Sequence, residues 1–214
     1  MQEAVRDSRD GGAAGPSGPE TLTDWLRGQF SDVIDPVARR LGGLGVSPNA
    51  ISALGFLLQL GVGLLFWSGR FQIGGLILFF GAPLDALDGA VARANGKDGR
   101  FGAFLDSTLD RLSDAVLILG LTAYHIRADA YLDVGLLLTA LVAAFMVSYT
   151  RARAEALGAV CKVGLLTRLE RILLIALLAA LGLTTVLAWA LAVLSVVTVI
   201  QRVVHVHTTC ADAE

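Results

Sequence analysis

Four aspartates carry the chemistry that this chain offers: Asp85 with Asp88, three residues apart, and Asp106 with Asp110, four apart. Either spacing puts both carboxylates of a pair on one face of a helix. Each pair lies where a strongly apolar segment reaches an arginine-bearing end. Ionised carboxylates are costly in lipid and persist there only with a cation or a partner, so their clustering points to function. An all-oxygen ligand set suits a hard divalent cation, Mg²⁺ or Mn²⁺, over Zn²⁺. The residues therefore describe a metal site at a membrane surface.

The elements that must position this site are membrane-spanning helices. Of the 214 residues 55% are hydrophobic and only 17% charged, and the mean hydropathy of +0.66 belongs to a polytopic membrane protein. A net charge of -2 leaves no basic excess for nucleic acid. Cys161 and Cys210 form neither a disulfide framework nor a metal-ligand spacing. Residues 1–20 mix charge with Gly, Pro and Ser and read as a disordered cytoplasmic tail. From Thr21 to Leu41, apolar residues recur at helical spacing between Asp24, Arg27, Asp32, Asp35, Arg39 and Arg40. This predicts an amphipathic helix on the membrane or against the rest of the protein.

Six apolar segments of roughly membrane-spanning length follow, at residues 50–67, 71–92, 103–126, 130–149, 171–183 and 186–206. The fifth is short, and its boundary with the sixth lies around Gly182 to Thr185. The expected architecture is all-α: a six-helix membrane domain over residues 21–208 and a short tail at 209–214. With the N-terminus in the cytoplasm, nearly all Lys and Arg fall on that side and only Arg70 and Arg127 opposite, as the positive-inside rule requires. This orientation brings all four aspartates to the cytoplasmic face of the cell membrane. The connector 95–99, Asn-Gly-Lys-Asp-Gly, has the turn residues to reverse the chain, and antiparallel packing then gathers the carboxylates at one level. Gly89, Ala90, Ala92, Gly102 and Ala103 leave room for a phosphate beside the metal.

Eight positions within residues 85–110, namely Asp85, Asp88, Gly89, Ala92, Arg93, Gly102, Asp106 and Asp110, resemble in identity and spacing the complete signature of the CDP-alcohol phosphotransferases. The resemblance implies a six-helix membrane enzyme, dimeric in this family, that joins a CDP-linked lipid to an alcohol and releases CMP. It implies two Mg²⁺ ions, or Mn²⁺, held by Asp85, Asp88 and Asp106. Asp110 then acts as proton acceptor while touching one metal. It also assigns Gly89 and Arg93 to the cytidine diphosphate, together with Asn49, Ala50, Ile51 and Ser52 after Ser47-Pro48. Gly99 stands where many relatives carry Thr or Ser, which removes a hydroxyl contact and leaves a backbone one.

Downstream basic residues resemble those of the prokaryotic phosphatidylinositol-phosphate synthases and their archaeal ether-lipid counterparts. By that likeness Arg151, Arg171 and Arg202 line a pocket for the phosphate of inositol phosphate. Many relatives carry Lys at the position of Arg151, and Arg offers a planar fork in place of a point donor. Arg153 and Arg168 are equally explained by the positive-inside rule. Glycerol-3-phosphate is the rival acceptor, because the same cations attract it. A small cation transporter or channel is the alternative from another class, but it needs polar groups through the depth of the bilayer, and these aspartates lie toward one face.

Other conspicuous residues have plainer readings. Asp114 continues the Asp106–Asp110 series and is expected to support the site from a pairing with Arg111. His125, His205 and His207 fall at helix ends without ligand spacing and read as interfacial, and Trp25, Trp67 and Trp189 read as interfacial anchors. The pairs Gly61 and Gly63, and Gly74 and Gly75, suit close helix packing.

Overall fold

The computed structural model describes residues 47–81 and 99–211. The expected tail and amphipathic helix, the Asp85–Asp88 pair with Gly89 and Arg93, and residues 212–214 lie outside the described residues. Six helices are described: α1 Pro48–Trp67, α2 Phe71–Gly81, α3 Arg100–Arg127, α4 Tyr131–Ala156, α5 Arg168–Ala180 and α6 Thr184–Ala211. Three of them, within α1, α4 and α6, are long and apolar enough to cross a membrane.

Local chemistry explains the ends. Ser47 caps α1, its Oγ accepting from the Ala50 N–H at 3.3 Å, and Pro48 occupies the first turn, where its missing donor costs nothing. The α4 helix continues past the apolar stretch to Ala156, because Ala, Arg and Glu are strong helix formers and Arg151 pairs with Glu155 one turn on. The uncertain boundary near Gly182 resolves into a turn: α5 stops at Ala180, Gly182 takes φ +73°, and α6 starts at Thr184. With 13 residues, α5 is about 20 Å long, short of a hydrocarbon core about 30 Å thick. By contrast α3, with 28 residues, is about 42 Å long and has room for a charged first half.

The bundle is apolar outside as well as inside. Leu54, Leu57, Phe80, Leu132 and Val142 are well exposed, as on a surface that faces lipid. The core joins Val62 and Phe66 of α1, Leu117, Ile118 and Leu121 of α3, Leu137 and Ala144 of α4, Ile175 and Ala179 of α5, and Leu187 and Leu191 of α6. Small residues bring the axes together. A side chain on Gly120 would overlap the Gly63 backbone, and one on Gly75 would overlap the backbone at Ala176 and Ala180. Gly63, Gly74 and Gly75 thus meet the packing expectation, whereas a side chain on Gly61 meets open space.

One end of the bundle is pinned by polar groups. Asp133, at the start of α4, accepts from Thr185 Oγ1 at 2.8 Å and lies 3.2 Å from His125 Nδ1, which ties together the ends of α3, α4 and α6. His125 is therefore buried, and not interfacial as its position suggested. Arg127 donates to the Trp67 carbonyl and sits 5.6 Å from the centre of its ring, which holds the exposed Trp67 at the same end. Substituting Gly75 by Leu should destabilise the folded protein by about 1–3 kcal/mol through overpacking, whereas Gly61→Ala should leave it unchanged. Thermal unfolding in detergent measures both, and equal losses would contradict the close α2–α5 crossing.

Candidate active site

At the other end of α3 stands a ladder of carboxylates. Asp106, Asp110 and Asp114 follow one another at intervals of four, so each sits one turn deeper than the last. Burial grades along it: Asp106 and Asp110 are half-buried, while Asp114 is 3% exposed. The start of α5 faces this ladder. Arg168 Nη2 lies 3.0 Å from Asp110 Oδ1, and Arg171 Nη2 lies 2.6 Å from Asp114 Oδ2. Asp114 thus pairs with Arg171, and not with Arg111, which instead donates to the Ser107 carbonyl of its own helix.

Asp106 and Asp110 offer oxygen donors only, one turn apart and partly open to the outside, which fits a hard divalent cation. Among the described residues no three His, Cys, Asp or Glu groups come together, and the remaining expected ligands, Asp85 and Asp88, belong to the undescribed stretch. The start of α1 meets the start of α3. A Cβ placed on Gly102 would stand 3.3 Å from Asn49 Oδ1, so the segment Asn49, Ala50, Ile51 and Ser52 borders the turn below Asp106. Asn49 and Ala50 are exposed, Ser52 is half-buried and Ile51 is buried. Gly99 precedes α3 with extended backbone, φ -75° and ψ 137°.

The three arginines expected to hold an anion differ in burial and in partners. Arg202 of α6 is 3% exposed and donates through Nε to the Val163 carbonyl at 2.9 Å and through Nη1 to the Val147 carbonyl. Its guanidinium lies in the electrostatic field of Arg151, Arg171 and Glu155. Arg151 is exposed and bridges to Glu155 at 2.8 Å. Arg171 is 1% exposed; among the described residues its Nη2 bonds to Asp114, and its Nε and Nη1 have no hydrogen-bond partner. A guanidinium stays charged at any accessible pH, so this is a buried cation with two donors unmatched among the described residues. Arg168, which the charge rule alone could account for, is tied to Asp110 and belongs to the same constellation.

A membrane helix bundle that lines up carboxylates for a cation beside guanidinium groups for an anion is the apparatus of a phosphoryl-type transferase. The comparisons give the family: residues 45–201 match the family model of CDP-alcohol phosphatidyltransferase, and the chain belongs to this family of membrane enzymes. It is 38% identical to the archaetidylinositol phosphate synthase of Pyrococcus horikoshii over 83% of this chain and 93% of that one. It is 36% identical to the phosphatidylinositol phosphate synthase of Mycobacterium tuberculosis over 86% and 89% of the two chains. The crystal structure of the latter enzyme with CDP-DAG bound superposes with a TM-score of 0.76 at 34% identity, covering 82% of this chain and 94% of that one. Its complex with manganese and citrate gives 0.73 at 34% identity over 82% and 89%. The family is metal-dependent, in keeping with the oxygen donors on α3.

Proposed function

We propose that the protein transfers a phosphatidyl-type group from a CDP-linked lipid, CDP-diacylglycerol or an ether analogue, to a hydroxyl of inositol phosphate, with release of CMP. The observation that carries the acceptor is the buried Arg171, whose Nε and Nη1 have no hydrogen-bond partner among the described residues. Asp114 answers the charge of this guanidinium, but buried donors are costly without acceptors, and a phosphate supplies the acceptor oxygens. Inositol without its phosphate would leave them mispaired. The names of the two relatives, archaetidylinositol phosphate synthase and phosphatidylinositol phosphate synthase, support the same acceptor.

In this reading Asp85, Asp88, Asp106 and Asp110 hold two divalent ions, Mg²⁺ or Mn²⁺, which supply electrostatic stabilisation of the charge developing on the pyrophosphate. Asn49 to Ser52, Gly89, Arg93 and the Gly99 backbone seat the cytidine diphosphate. Arg151, Arg171 and Arg202 orient the acceptor, so that its hydroxyl oxygen can bond to the lipid-side phosphorus in line with the bridging oxygen of CMP. The P–O bond to CMP breaks, and the hydroxyl proton passes to Asp110. Arg168 holds that carboxylate toward the site from α5. The chain crosses the membrane six times, with the N-terminus and the site in the cytoplasm; the arginine-rich ends of α4 and α5 support this orientation.

Purified protein given Mg²⁺ or Mn²⁺ and CDP-diacylglycerol should release CMP with inositol phosphate, and not with inositol, serine or glycerol-3-phosphate. Turnover with glycerol-3-phosphate alone would reject the acceptor. Asp110→Asn should lower kcat by about 10²–10⁴-fold, the usual contribution of a general base, while CDP-lipid binding persists. Asp88→Asn should weaken both. Near-normal turnover by Asp110→Asn would end its role as proton acceptor. Gly102→Val, which pushes on Asn49, should raise KM for the CDP-lipid more than KM for the acceptor; an unchanged donor KM would detach Asn49 from the nucleotide.

A further inference from the structure

Asp114 lies beyond the eight positions of the signature, yet among the three carboxylates of the α3 ladder it is the deepest. Its Oδ2 accepts from Arg171 Nη2 at 2.6 Å. The other carboxylate oxygen, Oδ1, is buried and has no hydrogen-bond partner among the described residues. A carboxylate used only for charge balance would gain most by taking two guanidinium nitrogens in a fork. This one takes a single nitrogen and leaves two.

We propose that Asp114 is the positioning residue of the acceptor pocket: it fixes the Arg171 guanidinium by one edge, so that Nε and Nη1 stay directed to the acceptor's phosphate. The proposal rests on reading Arg171 as an acceptor contact. Two effects compete when Asp114 loses its charge. The pocket becomes more cationic, which attracts a phosphate, but the guanidinium loses its one hydrogen-bonding anchor among the described residues and turns to nearby backbone carbonyls, as that of Arg202 already does. Orientation dominates here, because Arg171 is fully buried and its donors are useful only in one geometry. Asp114 also stands one turn below Asp110, so the same helix sets the distance between the bound acceptor and the carboxylate that takes its proton.

The test is steady-state kinetics of wild type, Asp114→Asn, Arg171→Lys and the double variant, with KM measured separately for inositol phosphate and CDP-diacylglycerol. Asp114→Asn should raise the acceptor KM at least tenfold and leave the donor KM within twofold. In the Arg171→Lys background the same change should have little further effect, because the anchored group is gone. An acceptor KM that is unchanged or lower, equal rises in both KM values, or the same fold-change in both backgrounds would each overturn the proposal. If Asp114→Asn does not fold, Asp114→Glu keeps the charge and displaces it by one methylene; it should raise the acceptor KM alone, and an unchanged value would overturn the proposal. Wild type that turns over only another acceptor would refute the inositol phosphate reading. The variants, measured with that acceptor, would still test the role of Asp114.

Discussion

A charge inside a lipid-clad bundle must be answered within a few ångströms, and this constraint organises the protein. Water screens the half-buried Asp106 and Asp110 only in part and the buried Asp114 hardly at all, so these carboxylates of α3 call for a cation from the protein or from solution. At the deep end the answer is Arg171, and one turn nearer the end of the bundle it is Arg168. The register follows from helix geometry. Four residues advance α3 by about 6 Å and three residues advance α5 by about 4.5 Å, so two helices running in the same direction can match Asp110 with Arg168 and Asp114 with Arg171. The short α5 is the consequence: it is a basic plug set against α3 and α6, and its 13 residues need only reach from the ladder to the turn at Gly182.

The gradient of burial then separates two kinds of work. Asp106 and Asp110 are half-buried and reachable by ions, whereas Asp114 is sealed and acts on a protein cation. The anion side is graded in the same way. Arg151 is exposed and already bridged to Glu155, while Arg171 and Arg202 are buried, the first with donors to spare and the second bonded to the carbonyls of Val147 and Val163. A fixed, largely desolvated pair of guanidinium groups recognises an anion more selectively than mobile surface cations do, because little ordering remains to be done on binding.

Much of this was legible in the sequence, because its physics is local. Apolar runs located the starts of α1, α4 and α6 to within two residues but stopped seven residues short of the end of α4 and five short of the end of α6, and the turn at Gly182 was marked by its glycine. Arg151, Arg171 and Arg202 were singled out by a family likeness, and the structure buries Arg171 and Arg202 while Arg151 is exposed. Tertiary pairings were less visible. Spacing on one helix suggested Arg111 as the partner of Asp114, but a partner on another helix at better geometry won. Arg168 looked like a topology signal, because the positive-inside rule explains any arginine at such an end. His125 looked interfacial because it falls at a helix end without ligand spacing, but it is buried beside Asp133, which Thr185 also holds. In each case the missing information was which helix faces which, and that is decided by small residues such as Gly63, Gly75 and Gly120 through close approach of backbones.

The division of the α3 ladder is open to direct observation. Crystals of the full chain grown with Mn²⁺ and measured at the manganese absorption edge should show anomalous density beside Asp106 and Asp110 and none at Asp114, which should remain on Arg171. Anomalous density at Asp114, or none beside Asp106, would contradict the account.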